Sequence, residues 1–201
     1  MCGYEVEEIS NIEDLNGKSP MVFSVLGIEE RRLYDNELNK QNFIGSSESV
    51  KIYNIEIEDY YLIIKNKDSS GLHDFMMKKL RKYCNIVPPA YAFITHMLLH
   101  ELGHYQQYID RGRNVYKYVS WCENQVRDNY MNQQIVINQI QNRVNNRIPP
   151  DGPNKGERIK LEKLIKEYRD IPIEKEADSF AYAHMKEAIE KLSNYFKECN
   201  K

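Results

Sequence analysis

The sequence predicts an α+β fold, mainly helical, with a small N-terminal β-sheet beside a helix that carries His100-Glu101-Leu102-Gly103-His104. Three observations predict it. Residues 51–65 hold Ile52, Ile55, Ile57, Tyr60, Leu62 and Ile64, a β-branched and aromatic density with partial alternation that suits strands. Residues 90–110 place Phe93, Met97, Leu98 and Leu102 on one helical face. Residues from Pro172 to about 198 repeat that spacing with Ile173, Ala177, Phe180, Ala181, Ala188 and Leu192.

Taken in order, residues 1–20 are polar, with a turn near Asn16-Gly17. Residues 21–27 read as a short buried strand, 29–39 as a charged helix and 42–49 as a Gly/Ser loop. Residues 51–65 are the best strand candidate, broken into two strands at Asp59. A helix follows over 72–83. Pro88-Pro89 opens the next one, because proline is tolerated in a first turn, and Gly112 is a plausible stop. Trp121 and Tyr105, Tyr108, Tyr116 and Tyr118 read as core or half-buried packing. Over 124–146 the residues Val126, Tyr130, Ile137, Ile140 and Val144 recur near every 3.5 positions. That stripe packs onto the preceding helix or serves as a coiled-coil contact for a partner. Residues 148–156, rich in proline and glycine, form a connector or a lid, and 157–168 form an amphipathic helix.

One domain is the default for 201 residues, with a sheet-containing part over about 1–70 and a helical part over 72–201. Net charge is −2, and Lys78-Lys79-Leu80-Arg81-Lys82 is the one basic run, so nucleic acid is not an expected partner. Four scattered cysteines with no C-x-x-C pair argue against a cysteine zinc site and for a reducing compartment. The N-terminus lacks a signal-peptide pattern and no apolar run reaches membrane-spanning length. The expected location is therefore the cytoplasm, with no membrane partner.

The chemistry concentrates in two short motifs. H-E-x-x-H puts His100 and His104 one turn apart on one helix face, where both imidazoles aim at a single ion. Glu101 lies just off that line, placed to take a proton from a water molecule. A catalytic zinc takes three protein ligands and leaves a fourth position open. Glu174, opening the segment Glu174-Lys175-Glu176-Ala177-Asp178, fits the third place. Asp178, one turn on, is placed to accept the free ring N–H of a ligand histidine. Glu176 is the rival to Glu174, but it points about 200° around the axis from it. The spacing to Asp178 favours Glu174.

His100-Glu101-Leu102-Gly103-His104 followed by Glu174-x-x-Ala177-Asp178-Ser179-Phe180-Ala181 resembles the gluzincin side of the zincin metallopeptidases, and is similar to the ImmA/IrrE-type cytoplasmic peptidases or, through its E-x-x-A-D segment, to the membrane-embedded Ste24/HtpX type. The resemblance implies one zinc per chain held by His100, His104 and Glu174, with Glu101 as general base and Asp178 in support. It implies a zinc-dependent endopeptidase acting on a protein or peptide in extended form, which a strand beside the metal helix would bind. A catalytically silent zinc-containing binding protein and a non-peptidase zinc hydrolase are the alternatives. His96, one turn before His100, reads as a core or rim histidine, and His73 as incidental. Tyr182 and His184 are candidates for the donor that stabilises a developing oxyanion, with Tyr182 slightly better placed.

Overall fold

A computed structural model describes the backbone of residues 3–7, 22–24 and 49–53, and residues 56–67, 72–126 and 155–199 more fully. In the latter three stretches 86% of residues are helical and none is in a strand. The helices are α1 (Ile57–Lys67), α2 (Leu72–Leu80), α3 (Pro89–Asp110), α4 (Val115–Val126), α5 (Lys155–Arg169) and α6 (Pro172–Cys199). Among the described residues, strand pairing is confined to the short backbone segments Gly3–Glu7, Val22–Ser24 and Ser49–Tyr53.

The expected α+β class, with an N-terminal sheet flanking the motif helix, is therefore corrected to a helical one. The decisive segment is 51–65, where helix α1 starts at Ile57 and replaces most of the expected strand. Its β-branched and aromatic residues favour a strand only on local propensity, which packing overrides. As a helix, the segment places Tyr60 and Ile64 one turn apart, packed into a cluster with Tyr108 and Tyr118. Asp59, read from sequence as a strand breaker, sits with Glu58 in the first turn of α1, where carboxylates favour the positive end of the helix dipole. Helix α4 was not anticipated. Asn114 caps it, its side-chain oxygen accepting from the Lys117 N–H at 2.9 Å. The expected helix over 124–146 and the expected loop over 148–156 lie largely outside the described residues.

The boundaries of α3 follow the sequence closely. Proline stands at its start, and the Pro88 backbone is extended (φ −54°, ψ 146°). At its end Gly112 adopts φ 74° and Arg113 φ 53°, with Gly112 N–H donating to Ile109 O at 2.8 Å. This left-handed turn closes off the last carbonyls and starts the chain toward α4. The Tyr108 hydroxyl donates to Arg113 O at 2.9 Å, pinning the turn to the helix it ends. At the same corner the Arg111 guanidinium lies 3.3 Å from the centre of the Trp121 ring.

Among the described residues, helices α3 and α6 form the most extensive packing. The close approach rests on two small residues. A Cβ built on Gly103 would lie 2.7 Å from Ala177 Cα and 2.8 Å from Ala177 O. Only glycine lets the two backbones meet there. Beside this crossing, Met76, Leu80, Phe93, Met185 and Ile189 are buried together. Three polar residues of α3, His96, His100 and Gln107, are buried alongside Ala92, Phe93, Gly103 and Tyr108. Met97, Leu98 and Leu102, expected as the buried side with Phe93, are half-buried against the Tyr60–Tyr108–Tyr118 cluster. Among the described residues no helix is long and apolar enough to cross a membrane.

Candidate metal centre

The Gly103–Ala177 crossing brings the two motifs face to face. The His100 and His104 Nε2 atoms stand 3.1 Å apart. Glu174 Oε2 lies 3.3 Å from His100 Nε2, and Glu174 Oε1 lies 4.0 Å from His104 Nε2. A tetrahedral ion with bonds of about 2.0–2.2 Å separates its ligand atoms by about 3.3–3.6 Å. Two of the three separations come within a few tenths of an ångström of that range, so these donors fit a small dication. His100, Glu101 and His104 also present ligand atoms within 4.8 Å of one another. Glu101 is half-buried, whereas Glu174 is buried with 7% exposure, so Glu101 is the acid that a solvent-borne substrate can reach.

Each imidazole is held from behind. His100 Nδ1 is 3.1 Å from Asp178 Oδ1, and His104 Nδ1 is 3.0 Å from Gln107 Oε1. Both partners are acceptors, so each ring donates from Nδ1 and turns Nε2 toward the common point; on His100, ionised in the metal-free chain, Nε2 also carries a proton and faces Glu174. Gln107 is fixed in turn: its amide donates to Ile173 O at 2.6 Å and to Glu176 Oε2 at 3.4 Å. Glu176, the rival acid, is exposed and faces Gln107 and Arg111, away from the histidines.

Two further residues, not foreseen from sequence, complete the cluster. The Tyr168 hydroxyl donates to Glu174 Oε1 at 2.8 Å. Arg169 Nη1 donates to Glu174 Oε2 at 3.0 Å, while its Nε donates to Asp178 Oδ2 at 3.1 Å and its Nη2 to Asp178 Oδ1. Both residues end α5, a turn away from the motif. The one available signal was their position just ahead of Pro172, which fixes them beside the first turn of α6.

The charges are strongly coupled. Burial opposes ionisation of His100, but its hydrogen bonds to Asp178 and Glu174 outweigh burial and raise it to about 9. Burial likewise opposes the Glu174 carboxylate, yet His100, His104 and Arg169 hold it well below the usual range. His104 is lowered, first by burial and then by the neighbouring His100. His96 is lowered to about 3 by burial.

His96 is 1% exposed and its Nε2 lies 3.9 Å from Asp178 Oδ1 without a hydrogen bond. The Tyr182 ring packs on it with centroids 4.8 Å apart, and the Tyr182 hydroxyl is buried without a partner. His184 is exposed against Phe180, and His73 packs between Tyr61 and Phe93. Comparison of the chain with protein-family models, curated proteins and solved structures finds no match.

Proposed function

We propose that the chain is a zinc-dependent endopeptidase whose metal is held by His100, His104 and Glu174. The observation that carries this reading is the convergence of two Nε2 atoms and one carboxylate at near-tetrahedral separations, with a half-buried glutamate beside them. Zinc bound there supplies a Lewis acid that polarises a carbonyl group and acidifies water. Glu101 takes the proton of the attacking water and returns it to the departing amine. Asp178 and Gln107 keep the two imidazoles aimed while this happens. The substrate is a protein or peptide in extended form, and the site of action is the cytoplasm.

A second reading has one observation in its favour. Glu101 lies close enough to both histidines to serve as a fourth ligand, which would close the site and make the zinc structural. One experiment separates the two. Glu101→Gln is expected to keep about one zinc per chain by elemental mass spectrometry and to lose peptide hydrolysis by about 10²–10⁴-fold. Loss of zinc from that variant favours the closed site, and full hydrolysis by it overturns the mechanism.

A further inference from the structure

Arg169 sits at the turn between α5 and α6, and its side chain is nearly as buried as those of the acids it meets, 11% exposed against 10% for the Glu174 and Asp178 side chains. Its guanidinium is divided between the two carboxylates: Nη1 serves Glu174, while Nε and Nη2 grip both oxygens of Asp178. Nη2 also faces Met76 Sδ at 3.8 Å, so a buried residue of α2 backs the group. One rigid plane thus sets the relative orientation of the acid facing both imidazoles and the acid that aims His100.

Charge and geometry make opposite predictions for this residue. As a bare positive charge, Arg169 opposes a dication at the histidines, so its removal would tighten metal binding. As a planar fork it holds two side chains that would otherwise rotate, so its removal would loosen binding. The contacts favour the fork. Bidentate guanidinium–carboxylate pairing depends on a planar set of donors that an ammonium group does not possess. In addition, Glu174 has three side-chain torsions, and apart from its contacts with the histidines its oxygens are held by Tyr168 and Arg169.

We infer that Arg169 is a positioning residue of the metal centre, orienting Glu174 toward the ion and Asp178 toward His100, and that its planar geometry matters more than its charge. The inference rests on the zinc-site reading above. The test compares wild type, Arg169→Lys and Arg169→Met. Zinc affinity is measured by competition with a chromophoric chelator, the visible spectrum is taken with cobalt(II) in place of zinc, and melting is followed without metal.

Both variants are expected to bind zinc about 10–100-fold more weakly, the usual effect of losing an outer hydrogen-bond partner. The lysine variant is also expected to show altered cobalt bands while melting close to wild type. Unchanged or tighter zinc binding by Arg169→Met overturns the inference, as does full recovery of affinity and spectrum by Arg169→Lys. If the methionine variant fails to fold, the lysine variant decides alone. A wild type that binds no zinc removes the metal-site reading and the inference with it. A wild type that binds one zinc, with variants equal to it, removes the inference alone.

Discussion

The crossing of α3 and α6 at Gly103 makes Gly103→Ala the most informative single change. A Cβ there would stand 2.7 Å from Ala177 Cα, and ordinary contact begins at 3.4 Å, so the helices must separate by at least the 0.7 Å difference or shear past one another. The neighbouring atom is backbone, so no rotamer change relieves the clash. The energetic terms partly cancel. Alanine gains about 1 kcal/mol over glycine within a helix, while forcing a methyl group into a packed interface costs about 1–3 kcal/mol. The expected net destabilisation is thus about 0–2 kcal/mol.

The effect on the proposed metal centre should be larger. Glu174 faces the histidines across this same crossing, at 3.3 Å from His100 and 4.0 Å from His104. A shift of 0.7 Å is several times the tolerance of about 0.2 Å on a zinc–ligand bond. Zinc affinity, measured by chelator competition, should fall by more than tenfold while the chain stays helical by circular dichroism. Gly112→Ala is the control. Its Cβ meets nothing within 4 Å, but its φ of 74° makes alanine strained, so it should lose about 1–2 kcal/mol and keep wild-type zinc affinity. If Gly103→Ala binds zinc as tightly as wild type, the crossing does not set the site, and the reasoning fails.

Further changes separate the roles of the cluster. Glu174→Ala should lose stoichiometric zinc by elemental mass spectrometry, whereas Glu176→Ala, at the exposed rival position, should retain it. Asp178→Asn should bind zinc about 10–100-fold more weakly, since the acceptor behind His100 is weakened. Tyr182→Phe removes a buried hydroxyl without a partner, so its melting temperature should hold or rise and any hydrolysis should persist. A hundredfold loss of activity in that variant would instead make Tyr182 the oxyanion donor. In metal-free protein the ionised His100, raised to about 9, stabilises the fold fully below its ordinary value of 6.5 and loses that contribution as pH rises through 9. Denaturant midpoints of metal-stripped protein should therefore drop between pH 7 and 10, and zinc uptake near pH 7.5 should release a proton to a pH indicator.

Residue spacing made much of the site legible. H-E-x-x-H fixes two imidazoles on one helix face, and the four-residue step from Glu174 to Asp178 places both acids on one side of another. The ends of α3 were written in Pro89 and Gly112, and the start of α6 in Pro172. What failed was segment 57–67, because its β-branched and aromatic side chains carry strand propensity while their burial against Tyr108 is a tertiary fact. Tyr168 and Arg169 were hidden for a related reason. Their partners lie across a turn, and nothing periodic in α5 distinguishes its last two residues from any tyrosine and arginine. The roles of Met185 and Ile189 were also missed, since the stripe read from sequence on α6 passed over both in favour of Ala188 and Leu192.

Trp121 is the sole tryptophan of the chain, and it lies beneath Arg111 at the corner where α3 gives way to α4. Arg111 also donates to the Gln107 carbonyl at 2.9 Å, and the Gln107 side chain holds His104. The indole is therefore a built-in optical probe connected to the imidazole cluster through two residues. Its emission should respond to the stacking guanidinium, so a stopped-flow trace of that single fluorophore is expected to time events at His104 with no label attached.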